Sequence, residues 1–175
     1  MTFRFCPQCA SELAWIELPE DGGPKTRLRC TNCDFTHWNN PTPVLAAVVE
    51  CVDREGQVLL ARNAAWPMPF FGLITGFMEV GESLEEGIRR EVLEETSLEA
   101  LGATLIGVYD FQKKNQVIIA YHVPARGEIT LSPELVEYTL TPPQQLQCWP
   151  AGTGQALADW LRGRGIEPAW MPPRT

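Results

Sequence analysis

Residues 76–98 read GFMEVGESLEEGIRREVLEETSL, and this stretch decides how the rest of the chain is organised. Ser83 followed three positions later by Glu86 is spaced as a capping box, so a helix starts here. Leu84, Ile88 and Val92 recur every fourth position and predict the stripe that the helix buries. The rest of the segment is acidic. Glu85 with Arg89, and Glu86 with Arg90, are spaced as i,i+4 ion pairs worth about 0.2–0.5 kcal/mol each. Glu91 and Glu95 have no basic residue three or four positions away. At 100° per residue, Glu91, Glu94 and Glu95 share an arc of roughly 100°, with Glu95 on the side of Leu84 and Ile88 and therefore facing inward or bordering the core. Clustered, partly desolvated carboxylates repel one another, and hard divalent cations such as Mg²⁺ or Mn²⁺ relieve that repulsion. The carbonyl of Gly76 is placed to complete such a site. The competing reading is a solvated charged face.

Outward from this helix the pattern is mostly strands, with a second helix near the end. Upstream, Val44 to Val52 reads as a buried strand, Asp53-Arg54-Glu55-Gly56 as a hairpin turn and Gln57 to Arg62 as the returning strand. Residues 63–71 form a loop carrying Trp66, Pro67, Met68, Pro69 and Phe70. Downstream, strands are predicted over residues 104–111, 116–123 and 137–140, and a terminal helix over residues 155–162. This main domain covers residues 44–167. Residues 38–43 are an extended connector, because each proline biases its predecessor away from helix. The proline-rich residues 168–175 are expected to be a loose tail.

Residues 1–37 are a separate module. Cys6-Pro7-Gln8-Cys9 and Cys30-Thr31-Asn32-Cys33 lie twenty residues apart, with a predicted hairpin between them. Two such pairs supply the four thiolates of a tetrahedral Zn²⁺ site, closed to further ligands and therefore structural. Redox-active or disulfide-bonded pairs are the alternative. The module carries four basic side chains (Arg4, Lys25, Arg27, Arg29) against five acidic ones, so it is expected to support a dimer or the adjoining domain, with Arg27 and Arg29 keeping a binding role open. His37 is close enough in sequence to assist the zinc knuckle. Cys51, Cys148 and His122 read as structural.

Fourteen Lys and Arg against twenty-two Asp and Glu give the 175-residue chain a net charge of −8. The summed field repels a long polyanion, so nucleic acid is not expected as a partner, whereas a small anionic substrate is compatible with a locally bound cation. No apolar run reaches the roughly 18 residues that span a bilayer, and Met1 to Cys6 lacks the features of a signal peptide, so a cytoplasmic location is expected.

Gly76, Glu82 and the run Arg90-Glu91-Val92-Leu93-Glu94-Glu95-Thr96-Ser97-Leu98 resemble the signature box of the Nudix hydrolases. Each defining position matches except the second glycine, replaced here by Ser97 where the helix is to end on a left-handed residue. A side chain there costs on the order of 1 kcal/mol. The resemblance implies an α/β fold, a Nudix-type α/β/α sandwich with a mixed β-sheet, preceded by a small zinc-ribbon hairpin module. It implies a pyrophosphohydrolase acting on phosphorus-containing anhydrides, with Gly76, Glu91, Glu94 and Glu95 around Mg²⁺ or Mn²⁺ and Glu94 or Glu95 as the base. Glu134 or Glu137 from a later loop is the competing base. Arg90 and Glu82 would pair to hold loop to helix, and a homodimer is implied.

The four-cysteine module and the Asn40-Pro41 connector resemble the ribbon-bearing Nudix subgroup that cleaves ADP-ribose, FAD or NADH. The NADH-cleaving branch carries a Ser-Gln-Pro-Trp-Pro-Phe-Pro motif after its box, where this chain has Val108-Tyr109-Asp110-Phe111-Gln112. ADP-ribose and FAD are therefore favoured. Trp66, Phe70, Phe71, Tyr109 and Phe111 are candidates to stack on the base, and Arg62, Lys113 and Lys114 to meet phosphate. The rival reading is a non-catalytic Nudix module that binds a nucleotide or nucleic acid as a regulator.

Overall fold

The computed structural model describes residues 3–172. The chain separates into two compact units with the boundary between Asn40 and Pro41.

The first unit is a hairpin of β1 (Leu13–Glu20) and β2 (Gly23–Cys30), paired from Leu13 with Cys30 to Glu20 with Gly23, and β3 (Thr36–His37) lies against β2. Its buried apolar side chains among the described residues are Cys6, Leu28 and Cys30. That is too little core to hold a fold by itself.

In the second unit, β4 (Thr42–Cys51) takes three partners. β5 (Gln57–Asn63) and β6 (Ile74–Phe77) pair antiparallel with its two ends, and β9 (Gln116–Arg126) runs parallel to it along its whole length. β7 (Glu99–Ala100) and β8 (Thr104–Phe111) flank β9, and β10 (Leu135–Thr141) flanks β5, giving a seven-stranded mixed sheet among the described residues. β4 begins at Thr42, inside the segment expected to be connector, because the Thr42 amide donates to Asn115 at the start of the parallel pairing.

Alternate residues of β4 serve opposite faces. Leu45, Ala47 and Val49 pack with Ile88, Val92 and Leu98 of and beyond α1 (Leu84–Thr96). Val48, with Leu60 of β5, packs with Leu157 and Leu161 of α2 (Gly154–Gly163). Both faces of the sheet are thus covered, which is the α/β/α sandwich. Cys51 and Cys148 are core residues, and burial pushes each thiol up to about 11.

Of the tail expected to be loose, residues 173–175 lie outside the described residues. Ahead of them, β12 (Ala169–Trp170) pairs in parallel with β11 (Gln147–Cys148). No helix among the described residues is long and apolar enough to cross a membrane.

Candidate active site

α1 starts as its sequence dictates. Ser83 accepts from the Glu86 amide at 3.3 Å, and the Glu86 carboxylate accepts from the Ser83 amide at 2.8 Å. The helix ends at Ser97, which adopts φ 61° and donates its amide to Leu93. The serine takes the left-handed turn that glycine would take, and its hydroxyl donates to Thr130 at 3.2 Å.

The two i,i+4 pairs expected on this helix do not form. Glu86 is engaged in the cap, and Tyr121 donates to Glu85 at 3.3 Å. Arg90 turns instead to the preceding loop. Its five N–H donors are all used: Glu82 accepts two at 2.9 Å each, Glu91 and Glu94 one each at 2.9 Å, and the Phe77 carbonyl one at 3.1 Å. The fork of Arg90, assisted by the Glu79 amide, holds the Glu82 carboxyl down to about 2, and Glu82 in turn raises Arg90 above its ordinary value. Lysine keeps the charge at this position but not the fork. Arg90→Lys is therefore expected to lower Tm by roughly 5 °C in a calorimetric scan, because Glu91, Glu94 and the Phe77 carbonyl cannot all be served by one ammonium.

Glu91, rather than Glu95, is the deeply placed carboxylate, with 8% of its surface exposed. The reason lies in β6. Gly76 pairs with Leu45, and a methyl group on Gly76 would overlap the Glu91 carboxylate. The acid occupies the space that any other residue at position 76 would fill. Burial raises its carboxyl above the usual range against the pull of Arg90. Gly87 has a similar part, since a side chain there would press on Glu82 and Leu45, so the helix lies close to β4.

Glu95 is half-buried and accepts from the Ser132 hydroxyl at 2.7 Å. Glu95 and Glu134 line one small cleft together with Asn63, Trp66 and Thr75. Glu137 instead pairs with Arg62 at 3.2 Å. The structure thus brings Glu82, Arg90, Glu91 and Glu94 into one hydrogen-bonded group, with Gly76 packed against Glu91, and sets Glu95 in one cleft with Glu134. Ser132 carries no local sequence signal. It becomes recognisable only when the loop before β10 is strapped to the end of α1, through Thr130 to Thr96 and Ser132 to Glu95 backbone bonds.

Thr75, Leu73 and Trp66 line both this cleft and a cavity of about 530 Å³. Aromatic rings form one wall: Trp66 lies 5.5 Å from Phe70, and Phe70 meets Trp149 edge-on at 5.0 Å. Phe111, Lys113 and Lys114 lie on the same cavity, whereas Phe71 packs into the core and Tyr109 donates to Asp159 of α2.

The cysteines form a second centre. Sulfur separations are 3.6 Å for Cys6 to Cys33, 3.5 Å for Cys9 to Cys30 and 3.6 Å for Cys9 to Cys33. Four sulfurs about 2.3 Å from one zinc ion at tetrahedral angles stand about 3.8 Å apart, so the quartet fits Zn²⁺. The amides of Gln8, Asn32 and Cys33 point at the Cys6 and Cys30 sulfurs from 3.4 Å, as suits thiolates. Among the described residues this quartet is the group of metal-ligating side chains whose donor atoms lie within 4.8 Å of one another. Glu91, Glu94 and Glu95 direct their oxygens to Arg90 and Ser132 instead. His37 lies outside the quartet, paired with Leu28 in the sheet and edge-on to Phe3.

The Nudix domain family matches residues 41–162, and a Nudix N-terminal zinc-ribbon family matches residues 4–39. The NAD-capped RNA hydrolase NudC of Pseudomonas entomophila is 27% identical over 135 residues, covering 77% of this chain and 46% of that protein. NudC of Vibrio cholerae is 30% identical over 122 residues, covering 69% and 41%. The chain spans about half the length of the curated relatives it matches. The crystal structure of a NUDIX hydrolase from Nitrosomonas europaea is 27% identical, covers 97% of both chains and superposes with a TM-score of 0.76. With a sandwich of this topology and a family match over most of its length, the chain belongs to the Nudix family.

Proposed function

We propose that the chain hydrolyses the pyrophosphate bond of a nucleoside diphosphate linked to a second moiety, releasing a nucleotide and the phosphorylated moiety. The observation that carries this reading is the Glu91 carboxylate seated against the bare backbone of Gly76, with Arg90 locking loop and helix around it. The donor set is all oxygen. Glu91, Glu94, Glu95 and the Gly76 carbonyl suit Mg²⁺ or Mn²⁺ rather than a softer ion. When bound, such ions neutralise the diphosphate and activate water.

The protein's own groups do the rest. Glu95, oriented by Ser132, is assigned to align the attacking water and take its proton, with Glu134 across the cleft as the competing base. Trp66, Phe70 and Trp149 offer the flat wall against which an adenine or flavin would pack. The cysteine quartet would hold Zn²⁺ and fix the fold of the ribbon.

ADP-ribose and FAD are the favoured substrates, ahead of NADH, and a cytoplasmic homodimer is part of the proposal. The excess of acidic residues weighs against long nucleic acids. The curated relatives are nonetheless named as hydrolases of NAD-capped RNA, which puts an RNA-linked dinucleotide on the panel to be tried. The test is incubation of the pure chain with ADP-ribose, FAD, NADH, an NAD-capped oligoribonucleotide and dinucleoside polyphosphates, with Mg²⁺ or Mn²⁺. Metal-dependent release of a nucleoside monophosphate is expected. Tight nucleotide binding with no turnover on any of them would replace the enzyme with a sensor.

A further inference from the structure

Lys113 and Lys114 have no part in the chemistry above, yet both line the 530 Å³ cavity. In a chain with 22 acidic and 14 basic residues, cations are mostly matched. Among the described residues, nine lysine and arginine side chains lie within 4.0 Å of a carboxylate, and the two lysines are not among them. No acidic residue among the described ones lines the cavity. Two adjacent positive charges, unmatched in an acid-rich molecule and facing a cavity within the size range of ligand sites, call for an anion.

Their place in the sheet says which anion. Both lysines sit on the short turn between β8 and β9, just before Gln116. Leu45 is level with Gly76 on one side and Ile119 on the other, while Thr42 is level with Gln116. Three residues of strand at about 3.3 Å each put Gln116 roughly 10 Å from the level of Gly76, with the lysines beyond it. They stand a nucleoside's length from the carboxylates, not at the bond to be cut.

We propose that Lys113 and Lys114 bind a phosphate that the substrate carries in addition to its scissile diphosphate, on the sugar of the nucleoside lodged in the cavity. The substrate class is a dinucleotide with a phosphorylated ribose, as a monoester or as the first diester of an attached chain. This rests on the pyrophosphohydrolase reading, and the test separates the two.

Without any turnover, calorimetry on the full chain should show adenosine 2′,5′-bisphosphate binding about tenfold tighter than AMP, a margin that shrinks as salt rises. The Lys113→Ala/Lys114→Ala protein should lose that margin, and Lys113→Arg/Lys114→Arg should keep it. In turnover, kcat/KM for NADPH should exceed that for NADH about tenfold, and the double alanine change should lower the first about tenfold more than the second. An NAD-capped oligoribonucleotide compared with NAD reports on the diester, and a preference in either comparison supports the site. Equal binding of bisphosphate and AMP together with no preference in either turnover comparison overturns it, as does a double substitution that lowers both members of each pair alike. A bisphosphate margin with no hydrolysis of any substrate would sink the enzyme reading and leave the lysine site standing.

Discussion

A Gly76→Ala protein is expected to lose at least ~100-fold in kcat/KM on whichever substrate the wild type cleaves, with the fold retained. Gly76 lies in β6 with an ordinary strand backbone, so alanine is not excluded by its torsion angles. The cost is entirely steric. The new methyl and the Glu91 carboxylate claim the same space, so either the acid swings away from its 2.9 Å bond to Arg90 or β6 slides along β4. Displacing a reacting group by about 1 Å is enough to cost ~100-fold. Glu91→Gln is the companion change. It keeps the shape and removes the charge, so activity should fall at least as far while Tm holds. Steady-state kinetics at saturating Mn²⁺, with circular dichroism as the control, decide the matter. Gly76→Ala activity within threefold of wild type would show that the seating of Glu91 is irrelevant to the chemistry.

Stripping zinc is expected to unfold the ribbon completely while leaving the second unit intact. Among the described residues, the ribbon buries only Cys6, Leu28 and Cys30 as apolar side chains, and two of these three are cysteines of the quartet. Structural zinc contributes on the order of 10 kcal/mol or more to modules of this kind, far above what one buried leucine supplies. The second unit has its own core in three clusters, built around β4, β5 and β9 and covered by both helices. The measurements are zinc release by chelator, expected near one ion per chain, and limited proteolysis afterwards. Cleavage should concentrate before Pro41 and spare the remainder. A zinc-free protein whose first forty residues resist the protease would refute the assignment, and Cys30→Ser should behave like the chelated protein.

Local signals carried much of this fold. Ser83, Glu86 and the stripe Leu84, Ile88, Val92 define α1 with nothing from outside the helix, and the cysteine spacing defines the ribbon. Where the structure departs from local pattern, distant partners decide. Helical spacing gave Arg90 to Glu86, but Glu82 offers two oxygens to the arginine's fork and Ser83 had already claimed Glu86. The same spacing put Glu95 at the border of the core, where it lies half-buried, but gave no sign that Glu91 sits deeper in the space beside Gly76. Ser132, Trp149 and the two-residue strands β7, β11 and β12 have too little local pattern to be read, because each exists only against a remote neighbour.

The whole-length pairing of β4 with β9 also bears on how the chain acquires its structure. Thr42 must find Gln116, and Cys51 must find Ala125, across most of the second unit. Hairpins such as β8 with β9 close quickly, but contacts this far apart carry a large loop-closure cost and slow the rate-limiting step. On the ribosome, β4 emerges early and waits with an unpaired edge until β9 is made. Its apolar run from Val44 to Val49 is then the segment most in need of protection by a chaperone.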